Sequence, residues 1–134
     1  MITEKIKKIF FLIKKDINEK MKPYNLTAAQ ILLLNYLDTN NGKVIIQKDI
    51  CNYLSLKHST VIGILKRLEA KDLIIKKTDY KSEISITEKG KELIKSSGVK
   101  KSFVEKNLLK GFTKEEIEQL DNSLDRIYSN ISNE

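Results

Sequence analysis

Proline occurs once, at Pro23, cysteine once, at Cys51, and histidine once, at His58; tryptophan is missing and the only arginines are Arg67 and Arg126. A single cysteine allows no disulfide within the chain, and one cysteine with one histidine makes no His/Cys metal cluster within a protomer. The glycines, Gly42, Gly63, Gly90, Gly98 and Gly111, are too scattered to form a phosphate-cradling loop. The apolar run from Ile9 to Ile13 meets charge at once, so it is too short for a signal peptide, and nothing approaches the roughly 20 apolar residues of a membrane span. These absences predict a cytoplasmic protein with no membrane partner, no metal and no cofactor. A nucleophilic triad would have to use His58, for which a better use exists below, so the chain is not expected to be an enzyme.

What is abundant is lysine. The chain of 134 residues has the length of one domain, and 25 cations against 18 anions leave +7. That excess is uneven: residues 1–46 carry 8 cations and 4 anions, residues 47–91 carry 10 and 6, and residues 92–134 carry 7 and 8. The positive field belongs to the first two-thirds, which is the pattern expected for a partner bearing phosphates there rather than for a general polycation.

The stretch from Ile46 to Gly90 carries the functional information. Ile46, Ile50, Tyr53 and Leu54 recur at helical spacing, Ser55-Leu56 interrupts, and Val61, Ile64, Leu65 and Leu68 resume the period at a new phase. That is a helix, a tight turn and a second helix. Leu73-Ile74-Ile75 and the alternating Ile84-Ser85-Ile86 then read as two short strands, joined by the polar segment from Lys76 to Glu83. A helix-turn-helix followed by a basic hairpin is a winged helix.

A helix that enters a major groove needs short hydroxyls and long cations along one side. Lys57, His58, Ser59, Thr60, Gly63, Lys66 and Arg67 stand at the start and on the polar side of the second helix. In the hairpin, Lys76, Lys77 and Lys81 are placed to follow a phosphate backbone or to enter an A·T-rich minor groove. The same lysines would equally suit a solvated face, as most charge runs do, and His58 would equally suit plain exposure.

With LTAAQILLLNYL before it and ITEKGKEL after it, this segment resembles the MarR family of winged-helix transcription regulators. The resemblance spans nearly the whole chain: a leading amphipathic helix, the helix from Leu26 to Leu37, the helix-turn-helix, the wing, a long helix and the terminal FTKEEIEQLDNSL helix. No single piece is specific; their order and spacing are. It implies a mainly α fold with a small β-hairpin, one domain over 1–134 in which 26–90 form the winged lobe and 1–22 and 92–134 the dimerisation helices. It implies a homodimeric regulator of double-stranded DNA, most often a repressor, on a pseudo-palindromic site. Three departures bear on the site. Ile62-Gly63 stand where the family often has Thr-Arg, Lys81 replaces the usual wing-tip Arg, and Asp72 stands where Gly commonly ends the recognition helix.

Apolar stripes support pairing of two chains. Ile2, Ile6, Ile9, Phe10, Ile13 and Ile17 line the first helix, Leu93, Ile94, Phe103, Val104, Leu108 and Leu109 follow the wing, and Ile117, Leu120, Leu124, Ile127, Tyr128 and Ile131 line the last helix. Ile6, Phe10, Leu108, Ile117, Leu120, Leu124 and Ile127 are the candidate dimer residues. Pro23 divides the first two helices, Thr27 and Thr113 read as N-caps, the latter with Glu116 as a capping box, and Asn40-Asn41-Gly42 and Gly111 read as turns.

The resemblance also implies a crevice for small, often aromatic effectors, with Phe10, Tyr24 and Tyr36 as lining candidates that fit equally in a core. Lys5, Lys7, Lys8, Lys14 and Lys15 would favour an anionic aromatic ligand. Cys51 occupies a position where a small buried residue packs on the recognition helix; a free buried cysteine is inert. A regulator without a ligand, a thiol sensor using Cys51, and a winged helix used only for protein interaction or scaffolding remain open alternatives.

Overall fold

Several helix starts in this chain are set by side-chain oxygens. In the computed structural model, which describes residues 1–78, 82–98 and 106–132, α1 runs Ile2–Met21 and ends where Pro23 forces a short 3-10 turn, Lys22–Tyr24. Thr27 then caps α2, Ala28–Thr39: its hydroxyl accepts from Gln30 N at 3.3 Å while Gln30 Oε1 accepts from Thr27 N at 3.0 Å. Asn18 of α1 accepts a further first-turn donor, Ala28 N, at 2.6 Å. Three of the helix-start donors that would otherwise be unpaired are thus satisfied, and α1 is tied to α2 by a polar contact at their crossing.

α2 is apolar nearly all round, and it is the central helix: it touches α1, α3 (Gln47–Leu54), α4 (His58–Ala70), α5 (Glu88–Ser97) and the second strand. Its Ile31, Leu33, Leu34 and Leu37 are buried with Met21, Ile50, Val61 and Leu68. Fully burying such a side chain contributes about 1.5–3 kcal/mol, so this cluster sets the positions of the elements packed on α2.

The turn between α3 and α4 closes through Ser55, which adopts the left-handed conformation at φ 55°, while Leu56 N donates to Cys51 O at 3.1 Å. α4 ends by the same device. Asp72 is left-handed at φ 59°, Asp72 N donates to Glu69 O at 3.0 Å, and Leu73 N donates to Leu68 O at 3.0 Å. Because the Leu73 amide closes the helix, the first strand begins one residue later than the apolar run suggests. β1 is Ile74–Lys76 and pairs antiparallel with β2, Ile84–Ile86, in the register Ile74↔Ile86, Ile75↔Ser85 and Lys76↔Ile84. Ile84 N also donates to Ile45 O at 2.8 Å, anchoring the hairpin to the segment before α3.

The chain divides into two compact units, Met1–Lys101 and Ser102–Glu134. The second holds α6, Lys114–Ser132, whose start has the expected capping box: Thr113 N donates to Glu116 Oε1 at 2.9 Å and Glu116 N to Thr113 Oγ1 at 3.1 Å. No residue of α6 is buried; Ile117 and Ile127 are half-buried, and Leu120, Leu124, Tyr128 and Ile131 are exposed. The same holds for the outer half of α1, where Ile2, Ile6, Ile9, Phe10, Phe11 and Leu12 are exposed. Phe103 and Val104 lie outside the described residues.

Candidate nucleic-acid interface

α4 separates its two faces cleanly. Val61, Ile64, Leu65 and Leu68 are buried against the rest of the unit, and Lys57, His58, Ser59, Thr60, Ile62, Lys66 and Arg67 are exposed, with Gly63 between. The buried face fixes the helix and leaves a hydroxyl-and-cation face outward. Lys57 occupies the N-cap position and has no side-chain oxygen to accept from the first-turn N–H groups. That turn therefore presents unpaired backbone N–H groups beside the Ser59 and Thr60 hydroxyls, at the positive end of the helix dipole, an arrangement that accepts a phosphate.

His58 is held from the preceding helix. Its Nδ1 lies 2.9 Å from Nε2 of Gln47, at the start of α3, and 3.5 Å from Sγ of Cys51 one turn later. With the Gln47 amide donating, Nδ1 is the acceptor, and in the matching neutral tautomer the ring N–H is at Nε2. Cys51 is buried between α3 and α4, as a small packing residue there should be.

The hairpin supplies the second cationic surface. Lys76 and Lys77 are exposed, but they are not equivalent: Lys77 Nζ is 3.2 Å from Glu83 Oε2 across the hairpin, and Lys77 N donates to Glu83 O at 2.8 Å. Lys76 has no ion-pair partner among the described residues. Lys81 lies outside the described residues.

A cavity of about 500 Å³ opens among α1, α2 and the end of α3, lined by apolar side chains including Phe10, Ile13, Ile17 and Tyr53, with Lys14 as its cation. Of the three aromatic candidates, Phe10 lines this cavity while Tyr24 and Tyr36 stand outside its lining. Tyr24 donates its hydroxyl to Ser96 O at 3.2 Å, and Tyr36 stacks on Tyr53 with ring centroids 4.3 Å apart. Burial raises the Tyr36 phenol above the ordinary tyrosine value, with the nearby Asp49 carboxylate and Tyr53 adding to the effect. Tyr53, legible in the sequence only as one apolar position of a helix, is the aromatic that joins the Tyr36 stack to the cavity wall. Gln47 was equally invisible, because a lone glutamine at a helix start gives no periodic signal.

Among the described residues no cluster of His, Cys, Asp and Glu is placed to hold a metal, and no helix is long and apolar enough to cross a membrane.

Residues 24–82 match the model of the MarR family. Solved structures match over most of the chain. The MepR–DNA complex of Staphylococcus aureus is 25% identical with a TM-score of 0.88, covering 98% of this chain and 96% of that one. A MarR-family regulator of Listeria monocytogenes complexed with a 26mer DNA is 28% identical with a TM-score of 0.87, covering 98% and 89%. The transcription regulator MarR of Oenococcus oeni is 25% identical with a TM-score of 0.82, covering 96% and 99%. No curated protein sequence matches the chain.

Proposed function

We infer that this chain, a member of the MarR family of transcriptional regulators, binds double-stranded DNA as a homodimer in the cytoplasm and represses transcription from a pseudo-palindromic site. The observation that carries this reading is the division of α4: an apolar face sunk in the unit, and an outward face that begins with an open, hydroxyl-bearing first turn and continues into Lys66 and Arg67. The solved complexes of the Staphylococcus and Listeria relatives with DNA support it. In this reading Ser59, Thr60 and Gly63 meet base edges, Lys57, His58, Lys66 and Arg67 meet phosphates, and Lys76, Lys77 and Lys81 of the hairpin follow the backbone beside the minor groove.

Pairing with a second copy covers the apolar faces that α1 and α6 leave in water. Residues 1–22 and 92–134 are the dimerisation helices, 26–90 the reading lobe, and Ile6, Phe10, Leu108, Ile117, Leu120, Leu124 and Ile127 the seam. The cavity beside Phe10 and Lys14 takes a small anionic aromatic effector, its ring against the apolar wall and its anion near the ammonium. Such a ligand releases DNA only as far as it prefers a conformation in which the two recognition helices no longer match the half-sites.

The test is a selection of duplexes from a random pool, followed by titration. Affinity for the selected duplex should exceed that for random DNA by about three orders of magnitude or more and fall steeply with salt. Ser59→Ala or Thr60→Ala should reduce binding to the selected duplex most. Equal affinity for selected and random DNA would overturn a sequence-reading role and favour a protein-interaction module.

A further inference from the structure

We propose that Ile62 reads the C5-methyl group of a thymine in each half-site, with the bare backbone of Gly63 beside it letting the duplex approach. The proposal rests on the reading of α4 as the groove-entering helix and goes beyond it by naming a base. Ile62 is 39% exposed, three residues after Ser59 and four before Lys66, so the three share the outward face of α4. It is the one large apolar side chain on that face; the helix's other large apolar residues, Val61, Ile64, Leu65 and Leu68, are all buried.

Helix propensity does not call for this pair. A β-branched residue is a mediocre helix former, so Ile62 adds little helix propensity to α4, and 39% of its surface stays open to water. Gly63 is the poorest helix former of the segment, yet a Cβ built on it would meet nothing within 4 Å and its backbone is not in the left-handed region. Alanine would make the better helix without a clash. A flat apolar spot flanked by a hydroxyl and a cation therefore faces outward. In the major groove the thymine methyl is the apolar group that base edges present; the edges of guanine, adenine and cytosine there are polar. Isoleucine against a thymine methyl removes apolar surface from water on both sides, whereas against cytosine it would desolvate an amino group without pairing it.

Deoxyuridine keeps every hydrogen-bonding group of thymidine and lacks only the methyl, so it isolates this contact. The selected duplex is remade with single thymines replaced by deoxyuridine, and each version is titrated with the wild-type protein and with Ile62→Ala. One position per half-site should bind the wild type about fourfold more weakly as uracil, the worth of one buried methyl-sized group. Ile62→Ala, which removes the contact from both half-sites at once, should bind the thymine duplex about sixteenfold more weakly and no longer distinguish thymine from uracil. Gly63→Ala should raise the thermal midpoint and still weaken DNA binding.

If the wild type binds the selected duplex but discriminates at no thymine, or if Ile62→Ala discriminates as the wild type does, the proposal is wrong while the DNA-binding role stands. If Ile62→Ala instead weakens self-association and leaves thymine discrimination intact, Ile62 belongs to a protein contact. If no duplex is selected, the regulator reading and this inference both fall.

Discussion

Thr87 and Gly90, three residues apart in the ITEKG segment, show how single atoms hold the start of α5 to the end of α4. The Thr87 hydroxyl donates to Asp72 O at 2.7 Å and accepts from Gly90 N at 3.1 Å, so one oxygen both caps α5 and grips the turn that ends α4. Gly90 is buried because the chain crosses itself there: an added Cβ would lie 2.5 Å from Leu73 O and 2.6 Å from Ile86 Cγ1. One of those neighbours is backbone, so the clash has no cheap relief. Gly90→Ala should cost about 1–3 kcal/mol, seen as a thermal midpoint several degrees lower in a melting experiment. An unchanged midpoint would mean that the crossing is looser than described. The sequence marks this segment through its family resemblance, but nothing in it shows that Gly90 serves close approach, because the partners are distant in sequence from one another: Leu73 lies in the turn after α4 and Ile86 at the end of β2. Asp72 was more legible. A short polar residue where glycine commonly stands tolerates a left-handed backbone, and Asp72 has it. Gln47 and Tyr53 act across helices, through His58 and Tyr36, and pairings of that kind leave no trace in spacing.

At the level of elements, periodicity located the helices and strands, and hydrogen bonds decided their ends. The apolar triplet Leu73-Ile74-Ile75 became Ile74–Lys76 because the Leu73 amide is consumed in closing α4. Alternation in Ile84-Ser85-Ile86 fixed β2 at its observed limits. The hairpin's charges divide in a way that composition hides. Lys77 shares its charge with Glu83, and Lys76 does not. Lys76→Ala should therefore reduce the slope of log affinity against log salt by about one phosphate contact, the effect expected of Lys81 as well. Lys77→Ala should reduce it less, and Glu83→Gln should restore some affinity by releasing Lys77. Equal slopes for the Lys76 and Lys77 variants in a salt titration would show that the ion pair does not persist on DNA.

For the whole molecule, what the sequence expresses best is surplus apolar surface. The stripes on α1 and α6 were legible as stripes, but a single chain cannot show what covers them. In the structure, Ile6, Phe10, Leu120 and Leu124 are each more than a third exposed. Such faces in water favour association, and in the proposed homodimer two-fold symmetry would fix half-site spacing near one helical turn. Leu124→Asp, placing a charge in that seam, should lower both dimer content and DNA affinity, whereas Ser59→Ala should lower affinity alone.

The most direct measurement of the central claim is sedimentation equilibrium of the protein with its selected duplex at micromolar concentration. The account predicts two chains per duplex, a dimer in the absence of DNA, and loss of both with Leu124→Asp. One chain per duplex, or a free monomer that binds the selected site with full affinity, would contradict it.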